Sequence, residues 1–244
     1  MAMKVKIAIT GSEGVIGTVL KKGLYDDYEI TPIDIKLGID VLDYQTLISK
    51  LRDNFAVIHL AWNSQTENLK NENIDPENAQ MAVNLYKAAR EAKVKRAIVA
   101  SSIHADSFYG TKPFLSTDHT PVPDSPYGAD KIFMEYLGRY FAKSDMEVVA
   151  IRFGGVNPGN VSPSLNDRPR EERGAWLSHG DCVSLIKKVL NAKKVPENFA
   201  VIYAVSDNPG RVHDVSNPFG WKPKDSADEF VRISTRLKKI MRSS

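Results

Sequence analysis

The chain has 244 residues, 42% hydrophobic and 26% charged, with a formal net charge of +3. That is room for one large α/β domain with at most a small appendage, and no apolar run reaches membrane-spanning length. The charge is mildly basic and spread evenly except around Arg168, Arg170 and Arg173, which does not suggest a nucleic-acid binder, whose basic stripe is usually denser, and would suit a small anion.

The first strand pattern covers 4–10 and runs straight into Gly11-x-x-Gly14-x-x-Gly17 and a helical pattern over about 15–25, with Val15, Ile16, Val19, Leu20 and Leu24 as its apolar face. Gly11 allows a tight turn off the strand. Gly14 lets a diphosphate approach the backbone, and Gly17 lets the helix pack close to the sheet. The unpaired N–H groups of that helix's first turn would face the phosphates. A second strand is expected from Tyr28 to Ile35, with Asp34 seventeen residues past Gly17 near its tip. A carboxylate there can accept hydrogen bonds from both ribose hydroxyls of an adenosine and repels a 2′-phosphate, which predicts NAD over NADP. Asp40 and Val41 precede a helix over about 44–53 that Asp43 can cap; Asp40 is read either as an adenine contact, with Val41 against the ring, or as a surface turn residue.

The third strand spans Ala56 to Ala61. Leu60 and Ala61, with Ile16 on the first helix, join the residues expected to face the cofactor, while His59 reads as a packed core histidine. Residues 62–74 form a polar loop in which Ser64 is the candidate ligand contact. Asn78 opens a long helix with Met81, Ala82, Leu85, Ala88 and Ala89 on its buried side. The fourth strand covers Val94 to Ala100, and its tip reads Ser101-Ser102-Ile103-His104. Gly110, Pro113, Pro121 and Pro123 make 105–124 a loop. A helix from Pro126 to about Ser144 carries Tyr127 and Lys131, and Glu147 to Phe153 is the fifth strand. Residues 156–175 are irregular and hold the three arginines. A helix capped by Asp181 follows, then a sixth strand from Phe199 to Val205, a turn-rich stretch over 207–224, and a last helix over 225–240 with Phe230, Ile233, Leu237 and Ile240 inward. The expected architecture is one doubly wound, Rossmann-type parallel α/β sheet with helices on both faces. It forms a single domain over 1–244, with substrate-side excursions at 154–180 and 206–224. The lone cysteine, Cys182, excludes an internal disulfide and reads as a buried hydrophobe. His59, His104, His119, His179 and His213 have no metal-ligand spacing, so no metal is expected. The sequence starts on a strand without room for a secretory leader, so cytoplasm is the expected location.

Tyr127 and Lys131 lie four apart, which on a helix places both on one face. A phenol with an ordinary pKa of about 10 is a poor base at neutral pH, and an ammonium close by stabilises the phenolate. The same lysine can hold a nicotinamide ribose hydroxyl, and Ser102 can donate to the substrate oxygen. Together they form a proton-transfer set beside a hydride acceptor.

The order of these features resembles an extended short-chain dehydrogenase/reductase of the NAD-dependent epimerase/dehydratase superfamily. The resemblance rests on Gly11, Gly14, Gly17, Asp34, Asp40-Val41, Asn78 leading into Asn84-Leu85-Tyr86-Lys87-Ala88-Ala89-Arg90, Ser101-Ser102 and Tyr127-x-x-x-Lys131, and covers nearly the whole chain. Ser101-Ser102-Ile103-His104, Trp176-Leu177-Ser178-His179-Gly180-Asp181 and Gly220-Trp221-Lys222-Pro223-Lys224 resemble the uronate dehydrogenase branch and related archaeal sugar or sugar-phosphate dehydrogenases. The resemblance implies that Tyr127 removes the proton of a sugar's anomeric hydroxyl, that Ser102 orients that hydroxyl, and that hydride passes from C1 to NAD to give a lactone. It also implies that Ser64 and His104 contact the sugar, that Asn78 orders the strand ends near the cofactor, and that one of Arg168, Arg170 and Arg173 meets an anionic end. Uronate dehydrogenases resemble Ser-Ser-Asn-His where this chain has Ile103, which loses or replaces one sugar contact, so a sugar acid, a sugar phosphate and an uncharged aldose all stay open as substrate. An epimerase that recycles its NAD, perhaps on a nucleotide-diphosphate sugar, is the second reading, and a non-catalytic NAD sensor the third. A homodimer or higher homo-oligomer is expected through the helices near 78–92 and 126–144, with Tyr86, Phe133 and Tyr136 serving either that interface or the core.

Overall fold

The structure, a computed structural model, describes residues 3–63, 72–107, 114–143, 145–162 and 173–230. The apolar runs of the sequence form one six-stranded parallel sheet of β1 (Val5–Thr10), β2 (Tyr28–Ile33), β3 (Ala56–His59), β4 (Arg96–Ser102), β5 (Glu147–Phe153) and β6 (Phe199–Ala204). The spatial order is β2-β1-β3-β4-β5-β6. Its helices are α1 (Val15–Leu24), α2 (Tyr44–Leu51), α3 (Pro76–Glu91), α4 (Pro126–Phe141) and α5 (His179–Asn191).

Alternation along each strand divides the core in two. Ile7, Ile9, Val149 and Ile151 point to the face covered by α1 and α5, where Leu20, Leu24, Leu185, Ile186 and Val189 bury them. Ala8, Val57, Val148 and Ala150 point to the other face, against Leu47 and Leu51 of α2, Leu85 and Ala89 of α3, and Met134 of α4. The doubly wound expectation is met. β1 pairs β2 on one side and β3 on the other, so the chain reverses direction across the sheet at β1, and the carboxyl ends of β1 and β3 open a crevice there. Among the described residues no helix is long and apolar enough to cross a membrane.

Several boundaries differ from the sequence reading, each for a local reason. β2 stops at Ile33 because Asp34 caps a single 3-10 turn, Ile35–Leu37, closed by Gly38 at φ 74°. α3 begins before Asn78: Asp75 caps it, accepting from Glu77 N, and Pro76 fills the first turn, where its missing N–H is harmless. α4 ends at Phe141, and β4 starts at Arg96 and runs on to Ser102. Asp181 is not the cap of α5. Ser178 Oγ caps it by accepting from Asp181 N at 2.9 Å, while the buried Asp181 carboxylate accepts from Ser206 Oγ, Lys224 N and Asp225 N at 2.7, 2.8 and 3.1 Å. Asp181 thus pins the turn-rich 206–225 stretch to the first turn of α5. Val15 faces the crevice, and Ile16 lines it while also packing against the core. Tyr86 is fully buried, whereas Phe133 and Tyr136 are exposed. Phe230 packs against Trp176 with its ring tilted by 56°, and the expected last helix beyond Phe230 lies outside the described residues.

At the amino end of the sheet, the buried Arg96 guanidinium bonds Glu147 Oε2 at 2.9 Å through Nε. It also donates to the carbonyls of Val189, Leu190 and Ala192 at 2.5, 3.2 and 3.0 Å, satisfying the carboxyl end of α5. Burial pushes the Cys182 thiol up to about 12, so it is an inert packing group.

Candidate active site

A cavity of about 1120 Å³ opens at the carboxyl ends of the strands. Its walls are the glycine turn, Leu60 and Trp62 after β3, Ala100 to His104 at the tip of β4, Tyr127 and Lys131 of α4, and Phe153 to Asn157 with Ala175 and Trp176.

The glycine turn fits a dinucleotide by what it leaves out. Gly11 sits at φ +66°, and a Cβ there would lie 2.6 Å from Ala61 N. A Cβ on Gly17 would lie 2.3 Å from the Gly11 carbonyl, so α1 can approach the turn only with glycine at that place. Gly14 is the N-cap of α1 and offers no side-chain cap, which leaves the first-turn N–H groups of the helix open toward the cavity wall it forms. Beside the turn lies Asp34, whose carboxylate oxygens accept from Glu13 N at 2.8 Å and Lys36 N at 2.9 Å. That carboxylate is buried yet keeps lone pairs beyond those two bonds, as a ribose diol requires. The set fits an NAD molecule.

On the other side, Ser102 and Tyr127 line the same wall of the cavity, and Ser102 Oγ accepts from His104 N at 3.2 Å. Burial raises the pKa of Tyr127, and the Ser102 hydroxyl nearby opposes that rise. Lys131 donates to the Ala100 carbonyl at 3.0 Å and lies 3.5 Å from the centre of the Trp62 ring, a cation–π contact, against 5.4 Å to the Tyr127 ring. Burial drops the Lys131 pKa to about 7, with Asp130 opposing. His104 meets the Tyr127 ring edge-on at 5.8 Å, and its Nδ1 pairs with Asp124 at 2.7 Å.

Gly11, Gly14, Ile16, Gly17, Leu60, Ser102, His104, Tyr127 and Lys131 therefore share one cavity wall. Asp34, Asp40, Val41, Ala61, Asn78 and Arg173 are not among its lining residues, Asp34 lying behind the glycine turn with its carboxylate on Glu13 N and Lys36 N. Asp40 accepts from Leu42 N at 2.8 Å within its own turn, and Val41 is buried. Asn78 binds both the N–H and the carbonyl of Asn63, at 2.8 and 3.0 Å, which ties the segment after β3 to α3. Arg173 is buried and ion-paired with Asp228. Ser64, Arg168 and Arg170 lie outside the described residues. His59 is fully buried, hydrogen-bonded to Thr10 Oγ1 at 2.7 Å, and burial drops its pKa to about 3, as a packed core histidine should behave. The sequence marks Trp62 as the end of the third strand near the cofactor and Trp176 as part of a resembling stretch, and gives neither indole a role. Both line the cavity with buried Nε1 atoms that have no protein partner, and no periodicity distinguishes such a tryptophan from a core one.

The profile of the family described as NAD dependent epimerase/dehydratase matches residues 7–173, more than half of the chain. The chain is 27% identical over 253 aligned positions to the L-arabinose 1-dehydrogenase (NAD(P)(+)) of Haloferax volcanii, covering 93% of this chain and 99% of that protein. It is 30% identical over 247 positions to the uronate dehydrogenase of Agrobacterium fabrum, covering 94% of this chain and 88% of that one. The crystal structure of uronate dehydrogenase from Agrobacterium tumefaciens superimposes with a TM-score of 0.78 at 30% identity, over 97% of this chain and 90% of that chain. Sheet order, glycine turn and sequence match agree: the chain belongs to the NAD dependent epimerase/dehydratase family and is an enzyme that uses NAD.

Proposed function

We propose that the chain oxidises a sugar or sugar acid at C1 to the corresponding lactone. The observation that carries this reading is that Ser102, Tyr127 and Lys131 line the same cavity as the glycine turn. When bound, NAD supplies the acceptor for the hydride that leaves C1. Gly11, Gly14, Ile16, Gly17, Asp34, Leu60 and Lys131 would hold it. Tyr127, as phenolate, accepts the proton of the anomeric hydroxyl while the C1–O double bond forms, and Ser102 orients that hydroxyl. Lys131 holds a ribose hydroxyl with the donor capacity left beyond its one bond to Ala100. His104, fixed by Asp124, reaches the sugar from the rim, and Ile103 gives that rim an apolar stretch. Arg173 has its guanidinium engaged by Asp228, which leaves Arg168 and Arg170 for an anionic end of the substrate. The arabinose and uronate dehydrogenases among the relatives support a sugar as the oxidised partner. Assembly as a homodimer through α4 is part of the same reading: Phe133, Tyr136 and Tyr140 are 42%, 61% and 60% exposed along one stripe of that helix.

The deciding experiment follows NADH absorbance with NAD and a panel of arabinose, galactose, glucose, galacturonate, glucuronate, glucose 6-phosphate and a nucleotide-diphosphate sugar. Accumulation of NADH with one class, and a lactone in the product, is the expected result. Tight NAD binding with interconverted sugars and no NADH would replace this reading with an epimerase.

A further inference from the structure

We propose that Arg152 is a positioning residue of this reaction, the tie that holds the strand tip bearing Ser102 in register with the helix bearing Tyr127 and Lys131. The inference rests on the reading of the site given above. Arg152 stands on β5 directly after the apolar run Val148–Ile151, and its side chain is 2% exposed. Its Nε and Nη2 form a fork on the two oxygens of Glu135, each at 2.9 Å. Glu135 lies one helical turn beyond Lys131 and two beyond Tyr127, so the fork grips the face of α4 that presents both. Glu135 Oε1 also accepts from Ser101 Oγ at 2.5 Å.

The remaining arm of the guanidinium, Nη1, donates to Tyr203 Oη at 2.9 Å and reaches Asp106 Oδ2 at 3.4 Å. Tyr203 in turn donates to Asp106 at 2.6 Å. Asp106 closes the 3-10 turn that follows β4, its N–H bonding the Ile103 carbonyl at 3.0 Å. Ser101 and Asp106 therefore bracket Ser102-Ile103-His104 on both sides, and both are held by partners of one cation. Burial alone would lower the pKa of Arg152, and the Glu135 carboxylate reverses this, so the guanidinium stays charged.

Arg152, Glu135, Asp106 and Tyr203 do not line the cavity, so their effect on the chemistry passes through the groups they hold. A buried ion pair is a weak source of net stability, since apolar residues of like size often replace it without loss. What such residues could not supply is direction. A misplacement of about 1 Å among reacting groups costs on the order of a hundredfold in rate.

The test replaces the pair together, Arg152→Met with Glu135→Leu, so that neither charge is left buried alone. The milder Tyr203→Phe keeps the ring and removes one spoke. The readouts are melting temperature, NAD affinity by titration, and kcat and KM for the sugar. The expected result for the double variant is a folded protein with unchanged NAD affinity and KM, and a kcat lower by roughly 10- to 100-fold. For Tyr203→Phe, the expected kcat loss is several-fold, again with KM unmoved. A folded double variant with wild-type kcat overturns the proposal. If the double variant does not fold, Tyr203→Phe and Ser101→Ala decide, and wild-type kcat in both overturns it. A wild-type protein that reduces no NAD with any sugar of the panel is a different failure, which removes the reading of the site and this inference with it.

Discussion

Arg96 and Lys131 are both buried cations, at opposite ends of the same sheet, and they are satisfied very differently. Arg96, at the amino end, holds Glu147 and the carbonyls of Val189, Leu190 and Ala192. Lys131, at the carboxyl end, has the Ala100 carbonyl and the face of Trp62. A fully bonded charge serves the fold alone, while a charge left with free donors in a cavity wall is costly until something binds there. The amino end of the sheet is therefore finished by the chain itself, and the carboxyl end is completed by ligands.

The largest effect expected from probing this contrast is at the carboxyl end. Tyr127→Phe removes the proton acceptor and keeps the ring, so turnover should fall by roughly 10²- to 10⁴-fold while NAD affinity holds. Near-normal turnover would take Tyr127 out of the proton-transfer role. At the amino end, Arg96→Met leaves Glu147 buried without its partner, a loss of about 3–5 kcal/mol. The melting temperature should drop by roughly 10 °C, with kcat unchanged at temperatures where the variant is folded. A lowered kcat in that folded variant would erase the division between the two ends.

The smallest effect carries the sharpest sign. Lys131 is held down to about 7 by burial, against its usual 10.5. At pH below about 7 the folded and unfolded forms both carry the proton, and the folded form bears the full cost of the buried charge. Between the folded and the unfolded value the folded form releases its proton first, so stability climbs as pH rises. Lys131→Met removes that cost and should melt roughly 5 °C higher at about pH 6, with the gap closing toward about pH 10. Equal or lower melting temperatures at both ends of that range would mean that Lys131 bears no such burden.

The two ends also differ in how much of them could be read from the residues. The glycine turn and Asp34 are legible because the constraint is on the backbone and is local: φ +66° and a forbidden Cβ select glycine at a fixed spacing. Tyr127 and Lys131 are legible for a like reason, since one helical turn separates them. The six strands follow from apolar runs, while the starts of two helices lie two or three residues earlier than the sequence reading because Asp75 and Ser178, not Asn78 and Asp181, mark them. Asp181 was mistaken for a cap because aspartate favours that place, and its true partners come from 25 and more residues away. The Arg152 cluster was missed for the same physical reason. Its links join residues 17 to 97 apart, and nothing local records them. One clue was present: an arginine inside Val-Val-Ala-Ile-Arg-Phe must find a buried anion or leave the strand.

β2 is an edge strand, and Pro32 lies within it, paired in register with Ile9 of β1. A proline has no N–H, so it sits in a strand only where the ladder asks for no donor, on the outward side. That edge therefore lacks a hydrogen-bond donor at the point nearest the cofactor turn, and another strand docking there would meet a gap in the ladder. Fusion of copies into a continuous sheet along β2 is disfavoured at that point.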